Sequence, residues 1–377
     1  MTGFVVTAGG TGGHLFPAEA LAGQLAARGA ATHLFTDRRV DGFASDLPGV
    51  EVVRVRAGRL GGGPLGTLGG VVEIALGVVQ ARRLLRRLEP AAVVGFGGYV
   101  SLPTMLAATQ LGFPTVIHEQ NAVLGRANRL LARRVHRIAT GFAETAALRA
   151  AERGRATHTG NPVRPAFIDV AASRYDPPEP GDPVELLITG GSQGARIFSE
   201  IVPAAIGLLP PPLRAALRLA QQARPEDLDG VAEQYERIGV EAEVQSFFLD
   251  MPHRLQRAHL AICRSGASTI AELAAVGRPA LLVPYPFAAD DHQSANARAF
   301  ANAGGGWVIP QPSLSAPMLA NRLAELLTDP GALRHAAVQA RAFARDDAAA
   351  RLADLVFDTA PATRALAPGD APMRAPG

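Results

Sequence analysis

Short apolar runs recur along the chain. Each ends in glycine or serine and hands over to a stretch with apolar residues at helical spacing. Residues 3–8 lead into Gly9-Gly10-Thr11-Gly12-Gly13-His14, and 92–95 into Gly95-Phe96-Gly97-Gly98-Tyr99-Val100-Ser101. Residues 184–189 lead into Gly190-Gly191-Ser192-Gln193-Gly194-Ala195-Arg196, and 259–263 into Arg264-Ser265-Gly266-Ala267-Ser268-Thr269. An unbroken apolar run this short is the pattern of a strand covered on both faces, as in a parallel sheet. Further strands are predicted at 31–35, 50–56, 115–117, 217–220, 243–248, 279–283 and 304–309, and 134–140 lead to the last strand of the first half. Helices are predicted from Pro17 to 28, over 71–88, from Pro103, and over 195–208, 225–238, 251–258, 316–327 and 331–357. Two helices open on proline, which suits a first turn. The alternation predicts an α/β protein of two Rossmann-like, doubly wound halves facing a cleft.

Glycine turns between a strand and a helix carry their own chemistry. The first amides of the helix have no partner, and its dipole adds about half a positive charge. Glycine lets a phosphate approach that backbone closely. The first turn lacks the dinucleotide fingerprint, since Leu15 stands where its third glycine belongs. A nucleotide diphosphate would meet the turn at 192–196 and a second helix start at 265–269. Glu272, one turn on, suits two ribose hydroxyls, and Gln293 and Asn296 suit those of a sugar. Across the cleft, His14 is a candidate general base, because histidine titrates near neutral pH. His118-Glu119-Gln120-Asn121 follow a strand, at the end where open α/β sheets bind ligands. Residues 57–70 are glycine-rich and read as a mobile loop, 175–183 as a boundary loop, and the chain from 360 as disordered.

Composition narrows the classes. At 377 residues there is room for two cores. The single cysteine, Cys263, excludes a disulfide framework. All 37 basic residues are arginine, so neither a Walker lysine nor a Schiff base is available. No basic patch interleaved with aromatics appears, which argues against nucleic acid. His, Cys and acidic residues never recur at ligand spacing, so no metal site is expected; Asp290 and Asp291 read as a helix start. A strand is predicted almost at once from the first residue, so no leader is read, and a cytoplasmic protein is expected. The helix over 71–88 has Ile74, Val78, Ala81, Leu85 and Leu88 on one face. Val72, Leu76 and Val79 widen that face, and Arg82, Arg83, Arg86 and Arg87 crowd its end. That pattern fits either a core helix or one resting on an anionic membrane.

The turns at 9–14, 95–101 and 190–196 stand in order with H-E-Q-N at 118–121, G-N-P-V-R at 160–164, C-R-S-G-A-S-T-I-A-E at 263–272 and D-D-H-Q-S-A-N-A at 290–297. Together, over about 3–355, they resemble the motif set of the MurG family of bacterial peptidoglycan N-acetylglucosaminyltransferases. The resemblance implies a GT-B fold, with an acceptor- and membrane-binding domain at 1–164 and a UDP-sugar domain at 165–340. A helix at 341–358 would return to the first domain, and a tail follows at 359–377. It implies inverting transfer of N-acetylglucosamine from UDP-N-acetylglucosamine to the 4-hydroxyl of undecaprenyl-diphospho-N-acetylmuramoyl-pentapeptide. The transfer would need no cofactor or metal and would take place at the cytoplasmic face of the inner membrane.

By the same resemblance, Thr11, Gly12, Gly13, Asn121, Arg164, Ser192, Gln193, Gly194, Phe248, Glu272, Gln293 and Asn296 would hold the donor, with the backbone around Phe248 on the uracil. His14 and Glu119 are rival bases, and the choice stays open here. Tyr99 and His118 would face the acceptor, and Leu76, Val79, Arg82 and Arg83 an anionic lipid surface. Other cell-wall and division proteins are further partners that the resemblance allows. The chain departs from the family at His292, where some members carry Gln, and at Phe248, where a smaller aliphatic is common and a tighter uracil pocket would follow. A UDP-N-acetylglucosamine 2-epimerase and a silent nucleotide-binding scaffold are the alternatives.

Overall fold

The structure, a computed structural model, describes residues 3–9, 12–37, 47–58, 63–179, 181–191 and 194–361, with the backbone alone for 63–67. Seven strands form the first sheet: β1 Gly3–Thr7, β2 Ala31–Thr36, β3 Val50–Arg54, β4 Ala92–Gly95, β5 Thr115–Glu119, β6 Arg137–Thr140 and β7 Ala156–His158. All are parallel, in the order β3-β2-β1-β4-β5-β6-β7. Six parallel strands form the second: β8 Val184–Thr189, β9 Leu217–Gln222, β10 Glu241–Gln245, β11 Leu260–Cys263, β12 Ala280–Leu282 and β13 Gly306–Val308, in the order β10-β9-β8-β11-β12-β13.

In each sheet the chain leaves the central pair in opposite directions, from β1 to β2 but from β4 to β5, and from β8 to β9 but from β11 to β12. The crevice at such a reversal is where open α/β sheets bind ligands. All four Gly/Ser turns follow β1, β4, β8 and β11. The recurring sequence pattern therefore collects at two switch points.

Each half buries its own apolar clusters. Leu352 and Val356, on the helix Ala348–Thr359, are buried with Phe4, Val94 and Phe96 of the first half. Burial of such side chains contributes about 1.5–3 kcal/mol each, which ties the end of the chain to the first sheet. Ala122, Phe142 and Phe167 pack with Ile270, Leu273 and Ala340, so a third cluster spans both halves.

Several elements differ from the sequence expectation. Pro17 and Pro103 do not open their helices, which run Gly12–Ala27 and Gly98–Leu111 and start at the glycines. Each proline is the sixth residue, so Gly13 and Tyr99 lose the helical donor four residues on. The helix expected from 71 runs Gly63–Leu88, so half of the expected glycine-rich loop is helical. The last strand of the first half is β7, and a helix Arg126–Leu131 precedes β6. The helix expected over 331–357 is two, Pro330–Phe343 and Ala348–Thr359, and the break lets the second cross to the first sheet. β10 ends at Gln245, which leaves Phe247 and Phe248 beyond it.

Candidate active site

On the first half, His14 lies in the first turn of Gly12–Ala27, and its ring faces the turn after β4. A Cβ at Gly98 would stand 3.3 Å from His14 Cδ2. Gly97 and Gly98 have φ of 79° and 70°, a left-handed backbone that glycine adopts without strain. They allow Tyr99, half-buried, to begin the helix beside His14.

Behind His14 lies a row of polar contacts. Its Nδ1 is 3.0 Å from Gln120 Oε1. Gln120 Nε2 is 3.1 Å from His118 Nδ1 and donates to the His118 carbonyl at 3.2 Å. His118 Nε2 is 3.0 Å from the Gly160 carbonyl. His118 is fully buried beside Phe96, and burial pushes its pKa down to about 4, so its ring is neutral. The expectation that His118 faces the acceptor is corrected here: it lies within β5, beneath the surface.

Glu119, also in β5, is buried and fully engaged. Its Oε1 accepts from the Asn121 amide (3.0 Å) and Asn121 Nδ2 (3.1 Å), and its Oε2 from the Gly125 amide and Asn128 Nδ2, both 2.8 Å. With four such bonds the carboxylate anchors the segment 120–128 and is occupied within the first half.

On the second half, the helices Arg196–Gly207 and Ala267–Val276 begin at Ala195 and Gly266, and neither has a side-chain cap. Gly190 packs so tightly that a Cβ would collide with the Ala195 amide nitrogen, and Gly194 has φ 68°. Uncapped first amides of this kind, at a helix's positive end, are the chemistry that suits a phosphate. Thr11, Ser192 and Gln193, expected here, lie outside the described residues. Gly12 and Gly13 are the first residues of the helix Gly12–Ala27.

Glu272 is largely buried, and its carboxylate is 3.1 Å from Arg164 NH2. Burial pushes the Glu272 pKa up, and Arg164 opposes it. Arg164 also lies over the rings of Phe16 (4.6 Å) and Phe167 (4.8 Å), so it bridges the His14 helix to the Glu272 helix. Among the described residues, Arg164 Nε and the Ser268 hydroxyl are shielded from solvent without a hydrogen-bond partner.

Gln293 Oε1 accepts from the Tyr285 amide at 2.9 Å. Asn296 is wholly buried: it accepts from the Ala122 amide (2.8 Å) and donates to Asn121 Oδ1 (3.1 Å) and the Ser265 carbonyl (3.0 Å). Asn121 and Asn296 are thus brought together, but against each other, as a clasp between the halves. The Phe248 ring is buried under the Arg254 guanidinium at 4.1 Å, so it packs inward and leaves only backbone to a base. His292 Nδ1 is 2.7 Å from the Ala289 carbonyl and serves its own turn.

Sequence reasoning placed Gln120 at the ligand end of its strand without a role of its own, and it missed Asn128 and a contact between the halves: Asp290 pairs with Arg126 (3.4 Å) and Arg129 (3.2 Å). Asp290 and Asp291 do not simply begin a helix. Both are left-handed, with φ of 53° and 52°, a conformation uncommon outside glycine. Among the described residues, no three His, Cys, Asp or Glu side chains converge as metal ligands. Cys263 is buried, which pushes its thiol up to about 12 and makes it inert.

The helix Gly63–Leu88 turns Ala81 and Leu85 into the core and leaves Leu68, Val71, Val72, Leu76 and Val79 exposed in a row. Arg83, Arg86 and Arg87 continue that side, while Arg82 NH1 bonds Gln110 Oε1 at 2.9 Å. Among the described residues, no helix is long and apolar enough to cross a membrane.

The glycosyltransferase family 28 N-terminal domain matches residues 4–140, and the family's C-terminal domain matches 185–352. The UDP-N-acetylglucosamine--N-acetylmuramyl-(pentapeptide) pyrophosphoryl-undecaprenol N-acetylglucosamine transferase of Rhodospirillum centenum is 53% identical over 100% of this chain and 99% of its own. The transferase of the same name from Rhodospirillum rubrum is 55% identical over 94% and 91%. The crystal structure of Acinetobacter baumannii MurG superposes with a TM-score of 0.76 at 29% identity, covering 95% of this chain and 100% of that one. A UDP-N-acetylglucosamine 2-epimerase shares the fold alone, with a TM-score of 0.65 at 12% identity over 95% of this chain and 96% of its own. The chain belongs to glycosyltransferase family 28 and, within it, to the MurG family of peptidoglycan N-acetylglucosaminyltransferases.

Proposed function

We propose that the protein transfers N-acetylglucosamine from UDP-N-acetylglucosamine to the 4-hydroxyl of undecaprenyl-diphospho-N-acetylmuramoyl-pentapeptide, inverting the anomeric centre and releasing UDP. The observation that carries this reading is Arg164. It stacks on Phe16, two residues after His14 on the same helix, and bonds Glu272 on the opposite wall. One guanidinium thus joins a wall bearing a candidate base to a wall bearing free helix amides. Inverting transfer needs that arrangement: an in-line hydroxyl with a base behind it, and positive potential at the leaving diphosphate.

In this reading His14 takes the proton, and Glu119 holds the loop that carries Asn121. Tyr99 flanks the acceptor. Glu272 receives the ribose hydroxyls, exchanging its bond to Arg164 for them and freeing the guanidinium for the diphosphate. Gln293 addresses the donor sugar, and Asn296 keeps Asn121 in place beside it. The leaving charge is met by the amides after Gly194, those of the helix Ala267–Val276, and Arg164. Neither Asp290 nor Asp291 is free for a metal, because arginines hold the first and Ser294 Oγ bonds the second at 2.5 Å. A chelator is expected to leave the rate unchanged.

The exposed row on Gly63–Leu88 and its arginines would rest on anionic lipid at the cytoplasmic face of the inner membrane, where the lipid-linked acceptor lies. The test mixes the protein with UDP-N-acetylglucosamine and a short-chain analogue of the lipid acceptor. UDP release that requires the acceptor, with formation of the disaccharide lipid, is expected. Release of N-acetylmannosamine, or no turnover, would contradict the reading.

A further inference from the structure

The contacts behind His14 determine more than its position. A carbonyl only accepts, so the Gly160 oxygen requires the proton of His118 on Nε2. The buried, neutral His118 then has a lone pair on Nδ1, which accepts from Gln120 Nε2. The amide of Gln120 cannot be turned round. Its oxygen would then face both the His118 carbonyl, now 3.2 Å from Nε2, and the His118 Nδ1 lone pair. With the nitrogen fixed toward His118, Gln120 Oε1 points at His14 Nδ1 and can only accept. Every proton along the row is therefore assigned from its buried end.

We propose that Gln120 and His118 form a neutral relay, anchored on the Gly160 carbonyl, that fixes His14 as the Nδ1–H tautomer and leaves its Nε2 lone pair for the acceptor hydroxyl. Gln120 and His118 are positioning residues; neither touches the reacting atoms. The step balances: the hydroxyl proton moves to His14 Nε2 as its oxygen bonds the anomeric carbon, the bond from that carbon to the diphosphate oxygen breaks with its electron pair leaving on UDP, and the imidazolium keeps its Nδ1–H bond to Gln120. Gly160 lies where the first half hands over to the segment carrying Arg164, so the relay also links the base to the junction of the two halves. The role of the relay rests on His14 being the base, whereas the tautomer itself does not.

The test is a long-range proton–nitrogen NMR spectrum of the full chain labelled with nitrogen-15 histidine, together with steady-state kinetics of Gln120→Leu and His14→Ala. In the wild-type protein, neutral His14 is expected to show a protonated Nδ1 and a bare Nε2. In Gln120→Leu that signature should give way to mixed tautomers. The kcat should fall by about 10-fold or more, with the donor KM unchanged. A wild-type His14 protonated on Nε2 would overturn the proposal even if the variant fails to fold. So would a Gln120→Leu enzyme with unchanged kcat. Full turnover in His14→Ala would instead overturn the reading of His14 as base, and the spectrum would still decide the tautomer.

Discussion

The two halves share one parallel-sheet plan, yet they present different kinds of group to the cleft. The first half offers side chains, His14 and Tyr99, at its switch point. The second offers backbone, the uncapped amides after Gly194 and Gly266. Their carboxylates differ in the same sense. Glu119 takes four hydrogen bonds, all from the segment that follows it up to Asn128. Among the described residues, Glu272 has one charged partner, Arg164, which comes from the segment joining the halves. A carboxylate satisfied by neighbouring backbone is scaffold. One held by a single exchangeable partner can be handed to a ligand.

The largest expected effect separates chemistry from binding. His14→Ala should lower kcat by roughly 10²–10⁴-fold, the span of general-base catalysis, in an acceptor-dependent UDP-release assay. A loss smaller than tenfold would return the role to another group. Glu119→Ala should act on stability, because it leaves several buried donors without an acceptor. Denaturant unfolding is expected to show a loss of about 3 kcal/mol or more, and a stable but inactive Glu119→Ala protein would favour a direct catalytic role.

His118 gives a pH test of similar size. Its folded pKa of about 4 lies below its ordinary 6.5, so the native state binds fewer protons than the unfolded chain between those values. The stabilisation is complete above pH 6.5 and is lost as pH falls toward 4, by about 3 kcal/mol in all. Urea midpoints at pH 7.5 and pH 5 should fall further apart for wild type than for His118→Asn. Equal spacing would mean that His118 is not buried in its neutral form. The smallest effect concerns the outer helix. Leu76→Asp with Val79→Asp should weaken binding to anionic vesicles by about tenfold or more and leave turnover on a soluble acceptor analogue intact. Unchanged vesicle binding would place the lipid contact elsewhere.

Much of this plan was legible because its signals are local. A strand followed by glycines needs no distant information, so all four cleft turns were found from the sequence. The two prolines misled because each helix begins at its glycines, so proline falls in the second turn and leaves the Gly13 or Tyr99 carbonyl without its helical donor. The break between Phe343 and Ala348 is set by the need of Leu352 and Val356 to reach the first sheet, which no local spacing records. At the site, what the sequence leaves unread is which side chains meet. Asn121 and Asn296 are 175 positions apart, and their bond is invisible to spacing. Gln120 was read only as one of four polar residues after a strand and Glu119 as a rival base, because spacing records neither the Gln120 contact to His14 nor the four donors on Glu119.

The division of labour between the halves is tested most directly by titrating UDP into wild type, His14→Ala and Glu272→Ala by calorimetry. The account predicts wild-type affinity for His14→Ala. It predicts a loss of about 1.5–3 kcal/mol for Glu272→Ala, the range of a hydrogen bond to a charged group. Equal UDP affinity in Glu272→Ala, or a comparable loss in His14→Ala, would contradict it.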